Sequence, residues 1–229
     1  MIKRAVNLID NGVIASARRT LATERQSLVS LEQAFDGDLA GPFMQAVETI
    51  GGISGRVIVT GVGKSGHIGV KIAATLASTG TPAFFMHAAE ANHGDLGMVG
   101  LGDAVLALSK GGESAELRNV IAYTRRFSIP LISMTCSPDS SLAKASDVVL
   151  LMPNVEEACP HGLAPTTSTM MQLAMGDALA IALLEARGFT ARDFHVFHPG
   201  GKLGAALSHV AYVMHTGERG PLVANGLSL

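Results

Sequence analysis

Two short stretches hold residues whose types and spacing suit anion chemistry. The first is Gly61-Val62-Gly63-Lys64-Ser65-Gly66, after the apolar run Val57-Ile58-Val59. The second is Ser109-Lys110-Gly111-Gly112-Glu113-Ser114, after Ala104-Val105-Leu106-Ala107-Leu108. Small residues and hydroxyls where a buried strand passes into a helix leave backbone N–H groups pointing outward, and such groups bind anions, phosphate foremost. Two of these turns on neighbouring strands suggest a phosphorylated small molecule held between them. The first turn also matches the dinucleotide spacing G-x-G-x-x-G. Its next strand, however, ends Phe85-Met86-His87, with Glu90 three residues further on, rather than in the acidic residue that would hold a ribose. A Walker A loop fails because its first glycine would fall on Ile58. A tight turn without a ligand stays open, weakened by Lys64, a cation beside exposed N–H groups. For the second turn the competing reading is helix capping, with Ser114 as N-cap and Glu113 or Glu116 complementing the dipole.

Three further clusters carry chemistry. His87 to Asp95 packs His87, Glu90, His93 and Asp95 after the second strand, as metal ligands, as partners for substrate hydroxyls, or as a plain polar loop. Glu156 and Glu157 follow the last strand and lead to Pro165-Thr166-Thr167-Ser168-Thr169. A carboxylate there could act as a general base beside a sugar, while the hydroxyl cluster also reads as N-capping after Pro165. His198-Pro199-Gly200-Gly201 sets a histidine on a sharp turn between helical pieces.

Alternating segments must position these groups. Apolar residues recur at helical spacing from Val6 to about Phe35, and a second helix covers Leu39 to Ile50, stopping at Gly51-Gly52. Strands are predicted over Arg56–Thr60, Ala83–Met86, Ala104–Ser109, Leu131–Thr135 and Val148–Met152, with helices over Gly66–Ser78, Ala115–Phe127 and Thr167–Arg187. The strands are continuous apolar runs, as when helices cover both faces. The expected fold is α/β: a doubly wound, five-stranded parallel sheet in an α-β-α sandwich with a long N-terminal helix. Ligands in such sheets sit at the carboxyl ends of the strands. Three regions are expected: N-terminal helices over 1–52 that pack on the domain or on an oligomer, a sugar-phosphate domain over 53–210, and a tail over 211–229.

The 229 residues suffice for a substantial core. A net charge of -2 and 4% aromatic residues leave no electrostatic footprint and few stacking platforms for nucleic acid. No apolar run approaches ~18 residues, so nothing is expected to span a membrane and no membrane partner is expected. Cys136 and Cys159 do not make a disulfide framework or a zinc site. A cytoplasmic location is expected.

Read together, Gly63-Lys64-Ser65-Gly66-His67-Ile68-Gly69, Ser78-Thr79-Gly80-Thr81-Pro82, His93-Gly94-Asp95-Leu96-Gly97-Met98, Glu157-Ala158-Cys159-Pro160, Leu163 to Thr169, Met175 to Ala180 and His198-Pro199-Gly200-Gly201 resemble the D-arabinose-5-phosphate isomerases, of the SIS (sugar isomerase) superfamily. The resemblance runs from about residue 5 to 215. It implies an aldose–ketose isomerase that interconverts D-ribulose 5-phosphate and D-arabinose 5-phosphate for lipopolysaccharide (Kdo) synthesis, in a cytoplasmic homotetramer. It implies Lys64, Glu116, Glu157 and His198 as the catalytic set, and Gly80, Thr81 and His93 as substrate contacts. Phosphate would fall to Ser65, Ser109 and Ser114. No cofactor is required, and His87 resembles the position where an inhibitory divalent metal such as zinc binds.

Two departures stand out. The family's second phosphate loop usually carries Ser where Gly111 stands, and an uncharged polar residue in place of Lys110. Longer members continue past a motif like Val213-Met214-His215-Thr216-Gly217 into paired CBS modules, so a free-standing domain or a shortened chain is expected, without CBS regulation. The alternatives are an isomerase of another sugar phosphate, or a sugar-phosphate-binding SIS module without catalysis. The mechanism expected is proton transfer between C1 and C2 through a cis-enediol. Glu157 would be the base, with its pKa raised by desolvation, and His198 would open the ring or relay protons between O1 and O2. Glu116 would be its carboxylate partner and Lys64 the stabilising cation.

Overall fold

Five strands form one parallel sheet in the order β2-β1-β3-β4-β5: β1 (Val57–Gly61), β2 (Ala83–His87), β3 (Ala104–Leu108), β4 (Leu131–Thr135) and β5 (Val148–Leu151). The computed structural model describes residues 11–198. The predicted strands match to within a residue at each end. Continuous apolar runs become strands here because both faces are covered. Val57, Val59, Leu106, Leu108, Ile132 and Met134 point to one core, while Ile58, Val105, Ala107 and Leu131 point to the other, as the two-residue period requires.

The first core is roofed by α1 (Asn11–Ala34), α2 (Ala40–Gly52), α3 (Gly63–Ser78) and α6 (Thr167–Ala186). The second is covered by α4 (Arg118–Phe127), α5 (Ser141–Ala145) and the short 3-10 turns Glu90–His93 and Asp95–Met98. The result is the expected three-layer α/β fold. Two boundaries move. Helix α2 runs through both glycines to Gly52, each exposed and without crowding neighbours, so neither acts as the stop. Helix α3 begins at Gly63, three residues early, so Lys64 and Ser65 sit in a helical turn rather than a loop.

Helix α6 is long and apolar enough, by length and composition, to cross a membrane. It is a core helix here: Met171, Met175, Leu179 and Leu183 are buried in the first core. Gly176 lets α3 close in, since a Cβ there would stand 2.4 Å from Ile72. Lys71 on α3 pairs with Asp177 on α6 at the edge of that contact.

The chain divides into two compact units, Met1–Gly188 and Phe189–Leu229. This division falls inside the single 53–210 domain expected from the sequence, and α2 belongs with the first unit through buried Ala46 and Ile50. In the second unit α7 (Ala191–Phe197) carries a capping box: the Thr190 side chain accepts from the Asp193 amide, and the Asp193 carboxylate accepts from the Thr190 amide. Phe189 and Phe197 stack at 5.8 Å. The segment 199–229, with Pro199-Gly200-Gly201 and the expected tail, lies outside the described residues.

Candidate active site at the sheet switch point

In the order 2-1-3-4-5 the chain reverses direction between β1 and β3, and crevices form beyond the carboxyl ends of the strands at such a reversal. Both anion turns lie there. Gly61 is in register with Leu108, and a Cβ on it would stand 3.1 Å from the Leu108 carbonyl and 3.3 Å from the Gly66 amide. The two turns therefore start side by side.

The turn after β3 is a closed polar network. The Ser109 and Ser114 hydroxyls lie 3.1 Å apart, and Ser109 Oγ accepts from the Gly112 amide at 3.1 Å. Gly112 has a left-handed φ of 68° and packs on α5, where a Cβ would stand 2.1 Å from Ser140 Oγ. Glu113 accepts from the Ser141 amide and hydroxyl at 2.6 and 2.8 Å. These backbone hydrogen bonds, followed by those from the Ser141 hydroxyl, hold its carboxyl below the usual range. Ser114 precedes a 3-10 turn, Ala115–Leu117, without capping it by side chain, so its hydroxyl faces Ser109 and the capping reading is not what the structure shows. Glu116 stands exposed on that turn.

Glu157, which follows β5, has its side chain 3% exposed. Its Oε2 accepts from the Thr166 amide at 2.8 Å, the Ser168 amide at 3.2 Å and the Thr166 hydroxyl at 3.3 Å. The carboxylate thus caps α6. The Thr166 and Thr167 hydroxyls instead accept from the Ala158 amide at 2.9 and 3.0 Å, which replaces the N-capping role read from the sequence. Glu157 Oε1 meets Lys110 Nζ at 2.6 Å. Burial pushes the Glu157 carboxyl up, but the Lys110 contact and the bonds from Ser168 and Thr166 outweigh it and bring the pKa down to about 2. The expectation of a raised value is therefore corrected: an ammonium and helix-end amides stabilise the ionised form more than burial penalises it. Cys136, at the end of β4, is pushed up to about 11 by burial.

The other sequence-predicted residues are more dispersed. Lys64 is exposed and Ser65 half-buried in the first turn of α3, and among the described residues Lys64 makes no ion pair. His87 ends β2 and His93 ends the following 3-10 turn, both exposed at the carboxyl side of the sheet. His87 Nδ1 accepts from the Ala89 amide at 3.2 Å. Among the described residues no three His, Cys, Asp or Glu side chains group as a metal site, so His87 does not belong to such a set there. Gly80 and Thr81 lie before β2, at the amino end of the sheet, a strand's length (roughly 13 Å) from the anion turns. There the Gly80 carbonyl accepts from Arg187. Within one chain the structure does not bring them to the crevice. His198 closes α7 in the second unit, stacked on Phe194 at 3.9 Å. Its Nδ1 is 2.9 Å from the Phe194 carbonyl. Because a carbonyl only accepts, Nδ1 carries the proton and Nε2 is left as the basic nitrogen.

Residues 54–182 match the SIS domain. This chain belongs to the SIS domain family. A relative in Pseudomonas aeruginosa, "Arabinose 5-phosphate isomerase KdsD", is 54% identical over 217 residues, which is 94% of this chain and 65% of that protein. The protein of the same name in Escherichia coli K12 is 51% identical over 215 residues, 93% of this chain and 64% of the relative. This SIS chain thus spans just under two thirds of these relatives. Among solved structures, c3406 of Escherichia coli CFT073 in complex with A5P is 40% identical with a TM-score of 0.78, covering 83% of this chain and all of the other.

Sequence reasoning missed the Lys110–Glu157 pair and the capping of α6 by Glu157. One signal was present: α6 has no acidic residue in its first turn, so its free N–H groups needed a carboxylate from elsewhere.

Proposed function

We propose that this SIS domain is an aldose–ketose isomerase interconverting D-ribulose 5-phosphate and D-arabinose 5-phosphate. The observation that carries the reading is the buried Glu157 carboxylate joined through Lys110 to the loop that holds the Ser109–Ser114 hydroxyl pair. The KdsD relatives and the A5P-bound neighbour support the choice of sugar phosphate. The phosphate is held by Ser109, Ser114 and the N–H groups of their turn, with Ser65 facing it from α3. Glu157 Oε1 takes the C1 proton of the ketose, the pair left on carbon forms the enediolate, and the proton returns at C2. Lys64 stabilises charge on the enediolate oxygens. His198 and Glu116 are the remaining candidates for moving the proton between O1 and O2. No cofactor takes part, and His87 is kept as the place where an inhibitory divalent metal would touch the protein.

A homotetramer in the cytoplasm and a role in lipopolysaccharide synthesis complete the reading. The first half of α1 turns Val13, Ile14 and Leu21 to solvent, an apolar stripe suited to a second subunit. A second substrate reading, another sugar phosphate, draws on Lys110 and Gly111, where a cation replaces a hydroxyl. A panel of phosphorylated aldoses and ketoses tests both. Rapid interconversion of the ribulose and arabinose 5-phosphates is expected. Turnover confined to a different pair would select the second reading, and none on any would remove the isomerase.

A further inference from the structure

Only Oε1 of Glu157 can take a proton from a sugar carbon, because Oε2 already accepts three hydrogen bonds from Thr166 and Ser168. That atom is covered by Lys110 Nζ at 2.6 Å. The partners are unequal. The Glu157 side chain is 3% exposed and the Lys110 side chain 37%. The Lys110 backbone is pinned, since its carbonyl accepts from the Cys136 amide at 2.9 Å and the Thr135 hydroxyl at 3.0 Å. Of the two, the lysine side chain is the part free to move. It is rooted between Ser109 and Gly111, on the loop whose hydroxyls suit an anion.

We propose that Lys110 is an exchanging cation: it covers Glu157 Oε1 in an ion pair, and passes to the phosphate of a bound sugar phosphate, uncovering Oε1 as the base. The inference rests on the sugar-phosphate reading above. A phosphate dianion outcompetes a single carboxylate for one ammonium. Glu157 is not orphaned by the exchange, because its three other donors remain. What it loses is its counter-charge, so its basicity rises when substrate is present. The groups facing it fit this account. The start of α6 contributes uncharged Thr166 and Ser168, and Cys136, the residue after β4, raised to about 11, stays neutral near pH 7. Lys110 is the charge that sets the basicity of Glu157.

Calorimetric titration of the full chain with inorganic phosphate tests the exchange. Lys110→Met is expected to weaken phosphate binding about tenfold or more, the worth of a charge-assisted contact. Glu157→Gln, by releasing the lysine, is expected to tighten it, and the double variant to bind like Lys110→Met. Equal affinity in Lys110→Met and wild type, or no tightening in Glu157→Gln, would overturn the proposal and leave Lys110 a brace for Glu157. Should Lys110→Met not fold, the wild-type chain still decides. With ¹³C-labelled glutamate at about pH 8, where phosphate is a dianion, saturating phosphate is expected to shift the Glu157 carboxylate resonance as its ammonium leaves, and an unmoved resonance overturns the exchange. The two readings fail separately: phosphate exchange without turnover of any sugar phosphate removes the isomerase and supports the exchange. Turnover without phosphate exchange removes the exchange alone.

Discussion

The two anion turns look alike in sequence and differ in construction. The turn after β1 opens directly into α3, with Lys64 exposed and without an ion pair among the described residues. The turn after β3 is tied to β4 through the Lys110 carbonyl, to α5 through Gly112 and Glu113, and to Glu157 through Lys110. A glycine- and serine-rich stretch therefore specifies the availability of N–H groups but not how rigidly they are held. Rigidity comes from partners far along the chain. On the function proposed above, the first turn would meet a reacting group, and the second would fix an anion and a base relative to each other.

Four outcomes would break or sharpen this contrast. The largest concerns the base: Glu157→Gln should lower turnover of ribulose 5-phosphate by about 10²–10⁴. Near-normal turnover in folded protein would remove Glu157 from the chemistry. Next comes the frame of the second turn. Gly112→Ala meets both a left-handed backbone and the Ser140 hydroxyl, so its denaturant midpoint should fall by an amount equivalent to about 1–3 kcal/mol or more. An unchanged midpoint would show that the turn is not held as described.

A smaller effect is read against pH. Because the folded-state pKa of Glu157 is depressed to about 2, its stabilising contribution is complete above the ordinary carboxylate range and is lost as pH falls toward that value. Stability curves of wild type and Glu157→Gln should therefore converge as the pH is lowered from about 5 toward 2, and parallel curves would refute the assigned shift. The smallest effect belongs to the first turn. Lys64→Ala should leave stability within about 0.5 kcal/mol while lowering kcat, since the lysine braces nothing in the described structure. A large stability loss would erase the contrast between the turns.

Much of the fold was legible because apolar runs such as Val57-Ile58-Val59 and Leu131-Ile132 answer to local periodicity and burial. Helix starts were less legible. Helix α3 begins early at Gly63 because a glycine with φ 55° can turn the chain straight out of the strand, which composition alone does not announce. Of the candidate site, Ser109 and Ser114 were read by type and position and their hydroxyls meet, while Glu157 reaches their loop only through Lys110. Gly80 and Thr81 were carried by a motif and lie at the other end of the sheet in this chain. The protonation behaviour of Glu157 was misread because burial was weighed without its partners.

By itself, the order of residues determined the elements, the parallel sheet and the presence of two anion turns, since each depends on local patterning within about a dozen positions. Only the tertiary structure decided that Lys110 meets a glutamate 47 residues away, and that this glutamate caps a helix. Electrostatic partnership acts through a few ångströms of space, and spatial distance across a doubly wound sheet bears no fixed relation to distance along the chain.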